Sequence, residues 1–256
     1  MGGIMTVDPS WNLLVATITL MCIGVAVAMI NRFSIHRSMV VAVARAALQL
    51  LLVSSVVVAA IGQVWTSLLF IAVMFTIAVW TTTGRVGTRS TWWWSALSLA
   101  AGVLPTLLVV FASRTAPFNG MAMIPIGSII IGNTMAAHTL AGRRFFPELR
   151  FQAGVYEAGL ALGMNRVMAT RMVLGPIVSE PLVPSLDSTR TVGLVTLPGA
   201  YVGVLMGGGT ALQAGAAQLL VLVGIVVSQT VTVAVMTRLI TSGRLLPDDL
   251  ITMLHP

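Results

Sequence analysis

The sequence predicts an all-α, polytopic membrane protein, and three observations carry that prediction. Of its 256 residues, 57% are hydrophobic and only 8% charged, about a third of the charged share of a soluble domain. Several apolar runs approach the roughly 20 residues that a helix rising about 1.5 Å per residue needs to cross hydrocarbon. Aromatic residues make up 6% of the chain and no apolar/polar alternation is present, which favours packed helices over a barrel.

About seven spans follow in order: 11–30, 43–61, 64–80, 93–112, 121–141, 191–210 and 216–240. The first lacks a basic leader and is read as a retained span, not a signal peptide. The third is short, and the sixth holds Pro198 and the Gly207 to Gly209 run, so it is expected to be broken or partly re-entrant. Gly62 and Gln63 alone link two spans, and such short links make neighbouring helices antiparallel.

The charges give an orientation. All 14 basic residues are arginines, against 7 acids, for a net charge of +7. With the N-terminus outside, only Arg114 falls on the exterior, and the other thirteen lie on what is then the cytoplasmic side, together with the C-terminus. In this setting the basic balance reports topology, and no nucleic-acid partner is expected. Cys22, the single cysteine, excludes a disulfide or a cysteine metal cluster within one chain. With no lysine, the chain cannot form the phosphate loop G-x-x-x-x-G-K-[ST], so it binds no ATP of its own by that motif.

Residues 142–190 form the only substantial aqueous interval within one transmembrane domain spanning 1–256. Phe145 to Leu162 reads as an amphipathic surface helix, with Gly163 allowing a tight turn. Asn165 caps a second helix through Met172, and Gly175 with Pro176 ends it. Met164, Met168 and Met172 then form an apolar docking or membrane-facing stripe.

Polar groups inside the spans are the candidate pathway or gating residues. Arg45 and Gln49 share a face one turn apart; Arg45 either snorkels to headgroups or locks to Asp187 or Glu180. Asn133 is expected to hydrogen-bond between helices, and His138, roughly 140° away around the fifth span, does not share its face. Asp187, among Ser185, Ser188 and Thr189, is either a helix cap or an ion-path residue. Pro198 frees a carbonyl near Leu194, and Gly199 and Gly203 form a small-x-x-x-small pair. No set of residues specifies a metal site.

Two resemblances follow from quoted residues. Glu157-Ala158-Gly159, then Gly163, then Val173-Leu174-Gly175-Pro176, resembles the cytoplasmic coupling motif of ABC importer membrane subunits, with Gly159, Val173 and Gly175 departing from it. More broadly, the stretch from Ala44 to Leu50, IPIGSIIIGNTM from Ile124, LALG from Leu160 and VPSLDSTRTVGLVTLPG from Val183 resemble the bacterial iron-export permeases and the plant aluminium-sensitivity membrane protein. Met164-Asn165 after LALG departs from that family's small residue.

The resemblance implies a permease subunit of an ATP-driven transporter, exporting metal ions such as iron. It implies separate ABC ATPase subunits that use the ATP, a permease homodimer, contact with membrane lipids, and the bacterial cytoplasmic (inner) membrane. Arg150, Glu157, Gly163, Arg166 and Pro176 are the implied ATPase-coupling residues; the arginines there can instead meet anionic headgroups. A secondary carrier or channel working without ATP is the alternative, disfavoured because nearly all acids lie outside the spans. No catalytic cluster of an enzyme is visible.

Overall fold

The computed structural model describes residues 10–254 and divides into two compact units, one ending at Ala60 and one starting at Ile61. In the first unit, α1 (Trp11–Ile30) is capped by Ser10, whose hydroxyl accepts from the Leu13 amide. A short turn leads into α2 (His36–Ile61). Gly24 lets α1 approach so closely that an added Cβ would stand 3.2 Å from the Met39 methyl. Most side chains of this pair are exposed and apolar, as a hydrocarbon solvent demands.

The second unit is built on α3 (Val64–Val86), α4 (Trp92–Ala112), α5 (Gly120–Phe151) and α10 (Ala211–Thr241). Their register is fixed by polar and small residues, since lipid offers no hydrophobic drive for helices to meet. Thr82 of α3 hydrogen-bonds His138 and Thr139 of α5, and Gly142 lies against Val86, so α3 and α5 run parallel. Thr134 of α5 donates to the Ser228 hydroxyl at 2.9 Å, and one turn earlier on both helices a Cβ on Gly224 would lie 3.5 Å from Ile130, so α5 and α10 are also parallel; Gln229 adds a hydrogen bond to the Asn133 carbonyl at 3.0 Å. Gly102, at the centre of α4, faces Ser228 and Thr232, and Thr106 faces Gly224, so α4 runs antiparallel to α10.

Because α5 and α10 point the same way, the chain between them must return along the whole bundle. It does so through α6 (Ala153–Ala161), α7 (Arg166–Leu174), 3-10 turns at Gly175–Ile177 and Glu180–Leu182, α8 (Val183–Thr191) and α9 (Gly199–Met206). Six helices, not seven, are long and apolar enough to cross a membrane among the described residues. The expected span at 191–210 is the return, broken between Val192 and Pro198. Val192 is already extended, Gly193 has φ +85°, and Pro198 carries no amide hydrogen for a helix.

Two further boundaries differ from the sequence reading. The last long helix starts at Ala211 rather than 216, because Thr210 and Gln213 form a reciprocal capping box. The helix expected from Phe145 to Leu162 begins only at Ala153; residues 145–151 are the last turns of α5, where Phe145, Phe146 and Leu149 are fully buried.

These side chains join Tyr156, Leu174, Met236, Leu246 and Leu250 in a core at the arginine-rich end. The short helix α11 (Asp248–Met253) closes it: Asp249 accepts from Arg150 at 2.6 and 3.0 Å, and Asp248 accepts from the Ser90 hydroxyl. The hydrogen bond from Arg150 is the main reason the Asp249 carboxyl titrates below its ordinary value. A lowered acid stabilises the folded state above the ordinary carboxylate range and loses that contribution as pH falls through the lowered value. The pair is exposed, and such pairs are worth about 0.2–1 kcal/mol. Truncating a buried leucine costs about 2–5 kcal/mol. Leu250→Ala is therefore expected to strip hydrogen-exchange protection from α11, and Asp249→Asn only to weaken it; equal losses would contradict this ordering.

Candidate coupling surface and intramembrane cleft

The α6–α7 hairpin is specified locally. After Leu162 the chain turns at Gly163, with φ +87°, and the Met164 amide donates to the Gly159 carbonyl while the Gly163 amide donates to Leu160. This pair of bonds satisfies the last carbonyls of α6 and requires a left-handed residue, for which glycine has no Cβ penalty. Asn165 then accepts from the Met168 amide at 2.9 Å and starts α7. Gly159 lets the helices close: a Cβ there would lie 3.2 Å from the Met172 methyl and 3.3 Å from Ala169.

Tyr156, Ala169, Val173 and Leu174 are buried and seat the hairpin on the core, and the outer side is exposed. That side presents Glu157, Leu162 at 81% exposure, Met168 and Met172. Glu157 has no hydrogen-bond or ion-pair partner. Every other acid among the described residues has one: Glu148 with Gln152, Glu180 with Arg144, Asp187 with Arg190, Asp248 with Ser90, and Asp249 with Arg150.

The second feature is a cleft of about 1100 Å³ beside the broken return, walled by α5, α9 and α10 and by the α4–α5 turn. Ser188 and Thr196 flank the break, and Asn119, Met121 and Gln218 lie across from it. A smaller pocket below it joins Ser185 and Leu186 of α8 to Gln229 and Thr230. Those contacts place α8 about half-way along α10. The exposed pair Asp187–Arg190, with N···O 3.0 Å, therefore stands well inside the length of the long helices.

The model of the uncharacterised protein family UPF0014 matches residues 11–243. The chain belongs to this family. It is 30% identical to the UPF0014 membrane protein STAR2 of Oryza sativa subsp. japonica, over 81% of this chain and 74% of that one. It is 28% identical to the protein ALUMINUM SENSITIVE 3 of Arabidopsis thaliana, over 81% and 77%. With the probable iron export permease protein FetB of Escherichia coli it shares 32% identity over 44% of this chain and 43% of that one. No solved structure matches.

In this UPF0014 chain the five coupling candidates do not form one patch of equivalent groups. Glu157 and Gly163 lie on the exposed hairpin, and Pro176 is exposed in the 3-10 turn after α7. Arg150 is engaged with Asp249. Arg166 packs its guanidinium on the Gly243 backbone, where a Cβ would come within 2.4 Å, and its Nε is buried without a partner.

The pathway candidates also separate. Arg45 and Gln49 are exposed on α2. The carboxylates suggested as locks for Arg45 are paired in their own unit, Glu180 with Arg144 and Asp187 with Arg190. Asp187 is no cap, because α8 begins four residues before it. The Asn133 side chain donates within its own helix, to Ile129, and the interhelical bond uses its carbonyl. Pro198 precedes α9 and Gly199 starts it, and a Cβ at Gly199 or Gly203 meets nothing within 4 Å, so they line the cleft instead of pairing helices. Sequence reasoning missed Thr82, Gly102, Thr134, Ser228 and Thr232, the buried small and polar residues that set the register.

Proposed function

We propose that this chain is the membrane subunit of an ATP-driven ABC transporter, with two copies forming the permease and separate ATPase subunits docking on the α6–α7 hairpins. The observation that carries this reading is Glu157: an unpaired carboxylate on an exposed apolar ridge, held by a buried hairpin base at the arginine-rich end. A partner's basic group can pair with it, and Leu162 and Met168 supply the apolar contact. The arginine-rich end faces the cytoplasm in this reading, in a bacterial inner membrane, with the N-terminus outside. Two ATPase subunits around a two-fold axis call for two permease copies.

Cargo moves along the broken return. Non-helical backbone at membrane depth survives only where protein or an aqueous cavity covers it, and ionisable groups there avoid lipid. The break at Val192 to Pro198 and the Asp187–Arg190 pair meet both conditions if they line a path. Iron as cargo rests on the name of the Escherichia coli relative, and export on the same name.

Asp187→Asn is expected to lower ATP-dependent flux in vesicles at least tenfold while leaving copurification with the ATPase unchanged. Loss of both together would make Asp187 a structural residue, and full flux would remove it from the path. The secondary-carrier alternative is disfavoured by the carboxylates: among the described residues only Asp187 lies at mid-depth, and it is neutralised by Arg190.

A further inference from the structure

We infer that the exposed face of α3 holds one anionic phospholipid, with its phosphate on Arg89 and an acyl chain along the helix. The head end is built around Trp80. The Arg89 guanidinium carbon lies 4.6 Å from the centre of the Trp80 ring, and the side chain reaches it across Gly84, where a Cβ would stand 3.2 Å from Nη2. A guanidinium over an aromatic face is held by the ring electrons, so its N–H fork stays available to a phosphate. No carboxylate claims it: the three ion pairs among the described residues use Arg144, Arg150 and Arg190.

The level is that of a headgroup. Arg89 follows α3 at the arginine-rich end, and Trp80 near the end of α3 and Trp92 and Trp93 at the start of α4 are exposed. Tryptophans in such positions mark the boundary between hydrocarbon and headgroups.

An apolar track leads away from this head end. Leu69, Val73, Ile77 and Trp80 are spaced by four, four and three residues, which puts them on one face of α3 with Gly84, and each is between 48% and 62% exposed. From Leu69 to Trp80 the helix advances roughly 16 Å, about half of a hydrocarbon core some 30 Å thick. A stripe of that length ending in a cation fits the lipid of one leaflet. A second copy of the chain fits it less well, because among the described residues only Glu157 is an acid without a partner, and it stands on the α6–α7 hairpin. The site depends on the membrane-spanning fold and not on the transport reading.

Native mass spectrometry of the purified chain, released from nanodiscs of equal phosphatidylglycerol and phosphatidylcholine with the same acyl chains, tests this. The first retained lipid is expected to be phosphatidylglycerol, by at least fivefold. Arg89→Gln should abolish the preference. Gly84→Leu removes no charge but drives the guanidinium off Trp80, and should lower the preference at least threefold; Trp80→Leu serves if that variant is not recovered folded. Arg171→Gln, at an exposed arginine on α7, makes the same charge change and should alter nothing. Millimolar inorganic phosphate should not displace the lipid. Equal retention of the two lipids would show an apolar surface only, and an equal loss in Arg171→Gln would show diffuse charge. Displacement by phosphate would show a free-anion site, and loss of association between chains in Arg89→Gln, without loss of lipid, a contact between copies. Each of these four results overturns the inference.

Discussion

Gly102→Val is expected to prevent recovery of the folded protein. Gly102 sits where α4 crosses α10, and even a Cβ at this position would lie 2.2 Å from the Ser228 carbonyl and 2.2 Å from the Thr232 hydroxyl. The first contact is with backbone, so no rotamer change relieves it. The helices would have to separate, and separation would break the Thr134–Ser228 hydrogen bond on the adjoining face of α10. Overpacking of this kind costs about 3 kcal/mol or more, against a total stability of roughly 5–15 kcal/mol for a typical fold. Gly132→Ala is the matched control, since its Cβ would meet nothing within 4 Å. Size-exclusion profiles and thermal midpoints of the two variants check the claim, and a monodisperse Gly102→Val protein with an unchanged midpoint would refute it.

Glu157→Lys is expected to weaken association with the ATPase subunit at least tenfold and to leave folding untouched. The side chain is exposed and unpartnered, so its replacement breaks nothing within the chain. Charge reversal at an interface replaces an attraction by a repulsion, and like charges in contact cost several kcal/mol. Gly163→Val attacks the same element differently. It forces a β-branched residue into φ +87° and should unsettle the whole hairpin. Association measured for both variants, alongside thermal midpoints, separates a docking contact from a structural one: only Gly163→Val should also lower the midpoint.

Local chemistry explains what could be read in advance. The turn at Gly163, the cap at Asn165 and the stop at Gly175–Pro176 depend on neighbours within a few residues, and all three stand where the pattern put them. The break in the sixth span was likewise legible from Pro198, whereas the Gly207 to Gly209 run marks the turn between α9 and α10. The end of α5 was not. Pro147 and the charges around it suggest a new element, but burial of Phe145, Phe146 and Leu149 against Leu246 and Leu250, a hundred residues on, carries the helix through to Phe151. Helix register was equally hidden. Gly102, Thr134, Ser228 and Thr232 are unremarkable in an apolar run, and only the pairing of α4 and α5 with α10 shows that each occupies a contact.

The most direct trial of the account is transport by this chain in sealed vesicles, with and without its ATPase subunit, following iron in both directions. The account predicts movement only when the ATPase and ATP are both present, and its loss in Glu157→Lys vesicles that contain normal amounts of inserted protein. Uphill movement by the purified chain alone, or undiminished ATP-driven flux with lysine at position 157, would contradict it.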